Sequence, residues 1–231
     1  MDIDNIVASA VSTCIAEIVT MPICTIKTNY QNTNISVYDV IKKISKKGIW
    51  YYYKPSLWAL MSQVVSTTSK YTFYEKIKTH LNNKYLSGTI SGVLSSIFTH
   101  PLDVIKIHNQ MCKNVIPSYR KEGLCFLYRG YSKTFIKSAI GSTFFFPIYD
   151  AVYEHIKNVQ GAAICSAIIS TIILQPIDYM KTTQIYNNNK IISKKNVLIL
   201  QLYKGLFLNL CRVVPHFLIT MTLIEYIKNQ N

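Results

Sequence analysis

Glu122-Gly-Leu-Cys-Phe-Leu-Tyr128-Arg129-Gly130 decides the fold, because its aromatic–basic–small ending recurs at a fixed step. Tyr53-Lys54-Pro55 lies 75 residues before that ending and Tyr203-Lys204-Gly205 lies 75 residues after it. Glu75, Asp150 and Glu225, each near the end of an apolar segment, keep the same step. Pro101 and Pro176 are also 75 apart, and Pro22 precedes Pro101 by 79. Landmarks of three kinds on one period do not arise from composition. They mark a triplicated unit, and a period of this kind has to be read before any single element. The repeats are placed at approximately 1–80, 81–156 and 157–231, within a single domain covering 1–231.

Around these landmarks the chain is 49% hydrophobic and only 16% charged, against about 25% charged in soluble domains. Weakly polar stretches at 3–26, 57–73 and 161–177 approach the roughly 20 residues that cross a bilayer. They contain Ser, Thr and an occasional charge, which suits helices packed around a polar interior. The net charge of +14 falls mostly on three links, 27–54, 106–129 and 181–204, while the links near 76–86 and 154–160 are short and mixed. Basic excess on alternate loops is the orientation signal of a multi-span membrane protein. A nucleic-acid binder would gather its cations on one soluble face, so no nucleic-acid partner is expected. The six cysteines form no C-x-x-C pair and read as small apolar packing; no metal and no cofactor are expected. No nucleophile–base constellation or phosphate-binding Gly loop is found, which argues against an enzyme. The acidic start, Met-Asp-Ile-Asp, has neither a signal peptide's basic start nor an Arg-rich transit character, so no cleavable presequence is expected.

Aligned on their tyrosines, the units share one plan. An apolar segment ends in Pro, with a Lys five residues later; a basic link, the triplet and a second apolar segment follow. Three such pairs make six helices and put both termini on one side. The junctions read Pro22-Ile-Cys-Thr-Ile-Lys27, Pro101-Leu-Asp-Val-Ile-Lys106 and Pro176-Ile-Asp-Tyr-Met-Lys181. They resemble the P-x-[DE]-x-x-[KR] signature of the mitochondrial carrier family. Glu122-Gly123 with Tyr128-Arg129-Gly130 is similar to its [DE]-G-x4-aromatic-[KR]-G continuation, and Tyr74-Glu75-x-x-Lys78 to its [FY]-[DE]-x-x-[KR] motif. The resemblance covers the whole chain, three times over. It implies an all-α membrane protein: six transmembrane helices in a pseudo-threefold bundle of three helix-pair repeats, with the odd helices kinked at proline. It further implies a multi-pass location in the mitochondrial inner membrane, with the odd-helix ends facing the matrix.

In that family the acid of one repeat pairs with the base of the next. Carried over, the matrix gate comprises Lys27, Asp103, Lys106, Asp178 and Lys181, braced by Gln31 and Gln110. Asp103 meets Lys181, Asp178 meets Lys27, and Lys106 faces Cys24, which cannot replace a carboxylate. The third brace position holds Ile185. The cytosolic gate comprises Glu75, Lys78, Asp150, Tyr153, Glu225 and Lys228: Asp150 meets Lys228, Glu225 meets Lys78, and Glu75 hydrogen-bonds Tyr153. Both gates are thus expected to keep two of three ion pairs and to be weaker than the family's usual ones.

Nine residues beyond each tyrosine stand Ser62, Lys137 and Arg212, equivalent positions midway along the even helices. The family binds substrate there, and ionisable groups at mid-depth mark a functional site. Two cations among three equivalent positions favour a small anionic solute. Lys133 lies one turn from Lys137, His216 one turn from Arg212, and Lys70 two turns beyond Ser62. Glu17, five residues before Pro22, is the exception; it pairs with one of these cations or contacts a substrate donor. Lys137-Ser138 fits neither the family's adenine-nucleotide carriers nor its carboxylate carriers cleanly. Abundant Ile, Lys, Asn and Tyr, with AT-rich codons, lean the choice toward nucleotides without touching cavity chemistry. Antiport of nucleotides by alternating access, in a monomer, is the expectation; di- or tricarboxylate or phosphate carriage, a non-transporting scaffold and a proton or fatty-acid conductor remain as alternatives. Cardiolipin is expected at the triplets ending in Gly130 and Gly205. The 75-residue unit is short for the family, so the links that carry a surface helix are expected to be trimmed, and repeat three lacks the E-G element, having 196–201 in its place.

Overall fold

The computed structural model describes residues 3–81, 83–187 and 199–228. All regular structure in these residues is helical. Six long helices, α1 (Ile3–Asn32), α4 (Ser56–Lys78), α5 (Lys84–Gln110), α8 (Tyr131–Ile156), α9 (Val159–Asn187) and α11 (Leu206–Lys228), alternate with short ones. The short ones are α2 (Val37–Ser45), α3 (Trp50–Tyr53), α6 (Val115–Glu122), α7 (Leu124–Leu127) and α10 (Ile199–Leu202). The trimmed links of the first two repeats therefore still fold into surface helices. Residues 196–198, in the stretch that replaces the third repeat's E-G element, lie outside the described residues.

The long helices pack in the cyclic order α1, α4, α5, α8, α9, α11, with α11 closing on α1. Pro22, Pro101 and Pro176 lie inside α1, α5 and α9, and each helix continues beyond its proline. Helix starts follow local chemistry. Asn83 accepts from the Tyr85 and Leu86 backbone N–H groups at the start of α5, an ordinary N-cap. Ser36 caps α2 by accepting from the Asp39 N–H.

The polarity of the bundle is inside out for a protein in water. On α1, Val7, Val11, Ile15 and Ile18 face outward while Ser12, Glu17 and Thr20 are buried. The same holds for Phe98 against Ser91 and Ser95 on α5, and for Ile172 and Ile173 against Ser166 and Ser170 on α9. Val7–Asn32, Gln160–Tyr186 and Ile199–Ile224 are long and apolar enough to cross a membrane. Among the described residues α4, α5 and α8 do not reach that apolar content.

Just before each proline sits a fully buried residue: Met21, His100 or Gln175. Each meets the even helix of its own repeat. Met21 packs with Ala59 in an apolar cluster. Thr134 Oγ1 and His100 Nδ1 are 2.8 Å apart, and Asn209 Nδ2 donates to Gln175 Oε1 at 2.9 Å. The other end of each polar side chain reaches a triplet carbonyl: His100 Nε2 lies 3.1 Å from Arg129 O, and Gln175 Nε2 donates to Lys204 O at 3.1 Å.

The small residue of the triplet is set by close approach. Gly130 (φ +79) and Gly205 (φ +83) adopt left-handed backbone. A Cβ there would meet Ile185 Cγ1 at 3.3 Å and Gln31 Cγ at 3.1 Å, respectively. Ile185, in the third brace position, is buried with Val104, Ile107 and Phe126, so an apolar cluster stands where a polar brace was sought. Gly205→Ala is expected to lower stability by about 1–2 kcal/mol from the backbone alone, with more from the Gln31 contact; unfolding of the purified variant in detergent measures it.

Candidate functional site

The six long helices enclose a cavity of about 450 Å³, and its lining includes Ser62, Lys70, Lys137, Ser138 and Arg212. Ser62, Lys137 and Arg212 stand at the same count from the triplets that begin α4, α8 and α11, and Lys70 lies two turns further along α4. Lys133, His216 and Glu17 are not part of that lining. Lys133 stands one turn away on α8, and His216 and Glu17 lie behind Arg212.

Three carboxylates bind cations across the helices toward the proline end, Asp103 and Asp178 in the cavity lining and Glu17 behind it. Asp178 Oδ2 accepts from Lys27 Nζ at 2.5 Å, and its Oδ1 accepts from Lys137 Nζ. Asp103 Oδ2 accepts from Lys181 Nζ at 2.7 Å, and its Oδ1 accepts from Ser62 Oγ at 2.8 Å. The expectation that Lys106 lacks a carboxylate is corrected. Lys106 Nζ donates to Glu17 Oε1 at 2.5 Å, and Arg212 Nη2 donates to Glu17 Oε2 at 2.7 Å. The physical reason is helical phase. Glu17 and Cys24 are seven residues apart, about two turns, so they share a face of α1. Glu17 is fully buried, which makes internal partners obligatory. The inference of two ion pairs at this end fails with it: the three lysines that follow the prolines, Lys27, Lys106 and Lys181, each have a carboxylate. His216 Nε2 lies 3.6 Å from Glu17 Oε2.

Gln110 Nε2 donates to Cys24 Sγ at 3.2 Å. Gln31 Oε1 accepts from Thr182 Oγ1 at 3.1 Å, and its Nε2 donates to Lys204 O at 3.3 Å. Sequence reasoning missed Asn209, whose Oδ1 accepts from Lys27 Nζ at 2.9 Å. It also missed Thr182 and the residues before the prolines. The 75-residue step between His100 and Gln175 was available as a signal for the last of these.

The opposite end is arranged differently. Glu75 makes no hydrogen bond to Tyr153 among the described residues; Tyr153 is stacked on Tyr149, one turn earlier on α8, with centroids 6.0 Å apart. Asp150 accepts from Tyr85 Oη of α5, and the Lys78 ammonium lies 5.9 Å from the centre of the Tyr74 ring. The side chains of Glu225 and Lys228 lie outside the described residues, and the pairs expected of them with Lys78 and Asp150 do too. On the link of repeat two, Arg129 pairs with Glu122, tying the end of α6 to the triplet.

A family model described as "Mitochondrial carrier protein" matches residues 3–85 and 81–160. The chain belongs to the mitochondrial carrier family. It is 46% identical over 232 residues, 98% of this chain and 96% of the relative, to "Mitochondrial carrier-like protein L276" of Acanthamoeba polyphaga mimivirus. It is 26% identical to "Mitochondrial substrate carrier family protein ucpB" of Dictyostelium discoideum, covering 92% of this chain and 90% of that one. With "Mitochondrial oxaloacetate transport protein" of Saccharomyces cerevisiae it shares 24% identity, covering 96% and 87%. Membership makes this carrier a multi-pass protein of the mitochondrial inner membrane, a transporter of metabolites and not an enzyme.

Asp178 serves two lysines of this carrier at once, so Asp178→Asn leaves Lys27 and Lys137 without a counter-charge. Breaking a buried pair from one side costs about 3–5 kcal/mol. Glu122→Gln, on the more exposed pair with Arg129, is expected to cost within about 1 kcal/mol. Unfolding midpoints of the two variants in one detergent compare them directly.

Proposed function

We propose that this carrier exchanges nucleotides by alternating access, with all six long helices crossing the membrane. The observation that carries the reading is charge imbalance at the cavity. Lys27, Lys70, Lys106, Lys137, Lys181 and Arg212 line it with only Asp103 and Asp178; with Glu17 counted, three cations are still in excess. Uncompensated cations at mid-depth are costly, and a multiply charged anion relieves them. Lys70 makes no ion pair among the described residues, and Arg212 keeps a buried Nε with no hydrogen-bond partner. A cavity of about 450 Å³ lies within the ~300–1,000 Å³ typical of sites that enclose a ligand. A nucleoside phosphate uses that space; a di- or tricarboxylate leaves much of it empty.

In this reading Ser62, Lys70, Lys137, Ser138 and Arg212 hold the substrate, and Lys133 and His216 act from one turn away. The ion pairs at the proline end form the matrix gate. Glu75, Lys78, Asp150, Tyr153, Glu225 and Lys228 form the cytosolic gate, which is unmade while the other is closed. Outward Leu57, Met61 and Val64 against buried Ser62 on α4, Phe98 against Ser91 and Ser95 on α5, and Phe135 and Ile136 against buried Thr134 on α8 support their crossing the bilayer. Each carrier works as a monomer, built of repeats near 1–80, 81–156 and 157–231. Cardiolipin is held where backbone N–H groups open α8 and α11, an anion-binding geometry.

Purified carrier in liposomes preloaded with ATP, malate, citrate or phosphate tests the substrate. Uptake of ATP against internal nucleotide is expected, with little against the carboxylates or phosphate. Lys137→Ala removes a charge-assisted hydrogen bond worth about 1.5–3 kcal/mol, so exchange should drop by roughly 10- to 100-fold. Carboxylate exchange that outpaces ATP would overturn the nucleotide reading.

A further inference from the structure

Each carboxylate at the proline end uses its two oxygens for two different helices, and the three do so in one cyclic order. Asp103 of α5 takes Lys181 from α9 and Ser62 from α4. Asp178 of α9 takes Lys27 from α1 and Lys137 from α8. Glu17 of α1 takes Lys106 from α5 and Arg212 from α11. In every case one oxygen binds the lysine five residues after the next repeat's proline. The other binds the residue nine past a tyrosine of the preceding repeat. Ser62, Lys137 and Arg212 are the equivalent cavity positions, so the three triads are threefold copies in connectivity.

They are not copies in sequence register. Asp103 and Asp178 stand two residues after their prolines, whereas Glu17 stands five before Pro22. The matching positions of the other repeats hold Ser96 and Thr171, and the matching position of the first holds Cys24. The displacement is seven residues, about 10 Å along α1 at 1.5 Å per residue. Gln110, one turn beyond Lys106, donates to Cys24 Sγ, so Cys24 still faces the slot that a carboxylate at its position would share with the α5 side chains.

We propose that Glu17 is the first repeat's gate carboxylate, displaced two turns toward the cavity, and that it couples the gate to the substrate site by sharing itself between Lys106 and Arg212. This rests on the transport reading for its consequence but not for its geometry. An anion that draws Arg212 away removes one of the two hydrogen bonds that hold Glu17, and Lys106 then has a partner free to rearrange. Lys137 and Ser62 stand in the same relation to Asp178 and Asp103. Substrate therefore competes with all three gate carboxylates for their second donor. Glu17 acts as a positioning residue: it holds Lys106 and Arg212 rather than the substrate itself.

Moving the charge back tests the assignment. Wild type, Glu17→Gln, Cys24→Asp and the double variant Glu17→Gln/Cys24→Asp are compared by unfolding midpoint in detergent and by ATP exchange in liposomes. Glu17→Gln should lower the midpoint by roughly 5 °C or more, since Lys106 and Arg212 lose their counter-charge. Exchange should drop about tenfold, within the 5- to 150-fold range of ordinary site coupling. The double variant should recover at least about half of the midpoint loss, because a carboxylate introduced in place of Cys24 reaches Lys106 from the register that Asp103 and Asp178 use. A merely structural Glu17 predicts no recovery, since the introduced carboxylate lies two turns from the slot Glu17 fills, and that result overturns the proposal. If Glu17→Gln does not fold, Cys24→Asp alone decides: a midpoint at or above wild type supports a carboxylate-accepting slot at Lys106, and a drop overturns it. Recovery of the midpoint in the double variant, alongside a wild type that exchanges no ATP, would sink the nucleotide reading while leaving the carboxylate assignment standing.

Discussion

A carboxylate buried among helices cannot be left without cations, and three of them at one end of this bundle dictate much of what surrounds them. Burying each charge costs several kcal/mol unless it is paired and hydrogen-bonded. Each of Glu17, Asp103 and Asp178 answers that cost with donors from two other helices. Three carboxylates with two donors each tie all six long helices together, Asp103 and Asp178 in one register and Glu17 two turns from it. The polar side chains that this requires must face inward, so the apolar residues of the same helices face out. The inverted polarity of α1, α5 and α9 follows from the same requirement.

Close to the carboxylates a second set of contacts works within each repeat. The residue before each proline meets the even helix six residues past its tyrosine: Met21 with Ala59, His100 with Thr134, Gln175 with Asn209. The chemistry differs in each, from apolar packing to two kinds of hydrogen bond, while the position is constant. Asn209 joins the two sets, since it donates to Gln175 and accepts from Lys27. Position is set by the repeat geometry, and residue type needs only to satisfy its partner, as buried polar groups must.

The helix pairs, the six-helix count and the inward charges were legible because they ride on a 75-residue step that a reader can count. Lys27 keeps its five-residue offset from Pro22, and Asp103, Asp178 and Lys181 of the two aspartate contacts lie on that step. Glu17 does not, and its role was therefore not readable from register. A carboxylate can move two turns along a helix and stay on one face, and a lysine's four-carbon stem follows it. The absence of a polar brace at Ile185 was legible, but its burial against Phe126 was not, because that depends on packing rather than on the step. Motifs name the group that could pair, and packing decides whether it does.

Sharing each carboxylate between a gate lysine and a cavity donor also bears on how a closed end of this kind opens. Pulling a lysine away from a buried carboxylate with nothing in return would cost about 3–5 kcal/mol, several times over. Exchanging partners avoids that cost. When an anion takes Lys137 and Arg212, both cations keep a counter-charge, and each carboxylate keeps its lysine until the helices part. In the proposed reading, the cation excess of the cavity favours that exchange for a multiply charged anion over a neutral solute. Charge selectivity and release of the proline end would then rest on the same equivalent positions, Ser62, Lys137 and Arg212.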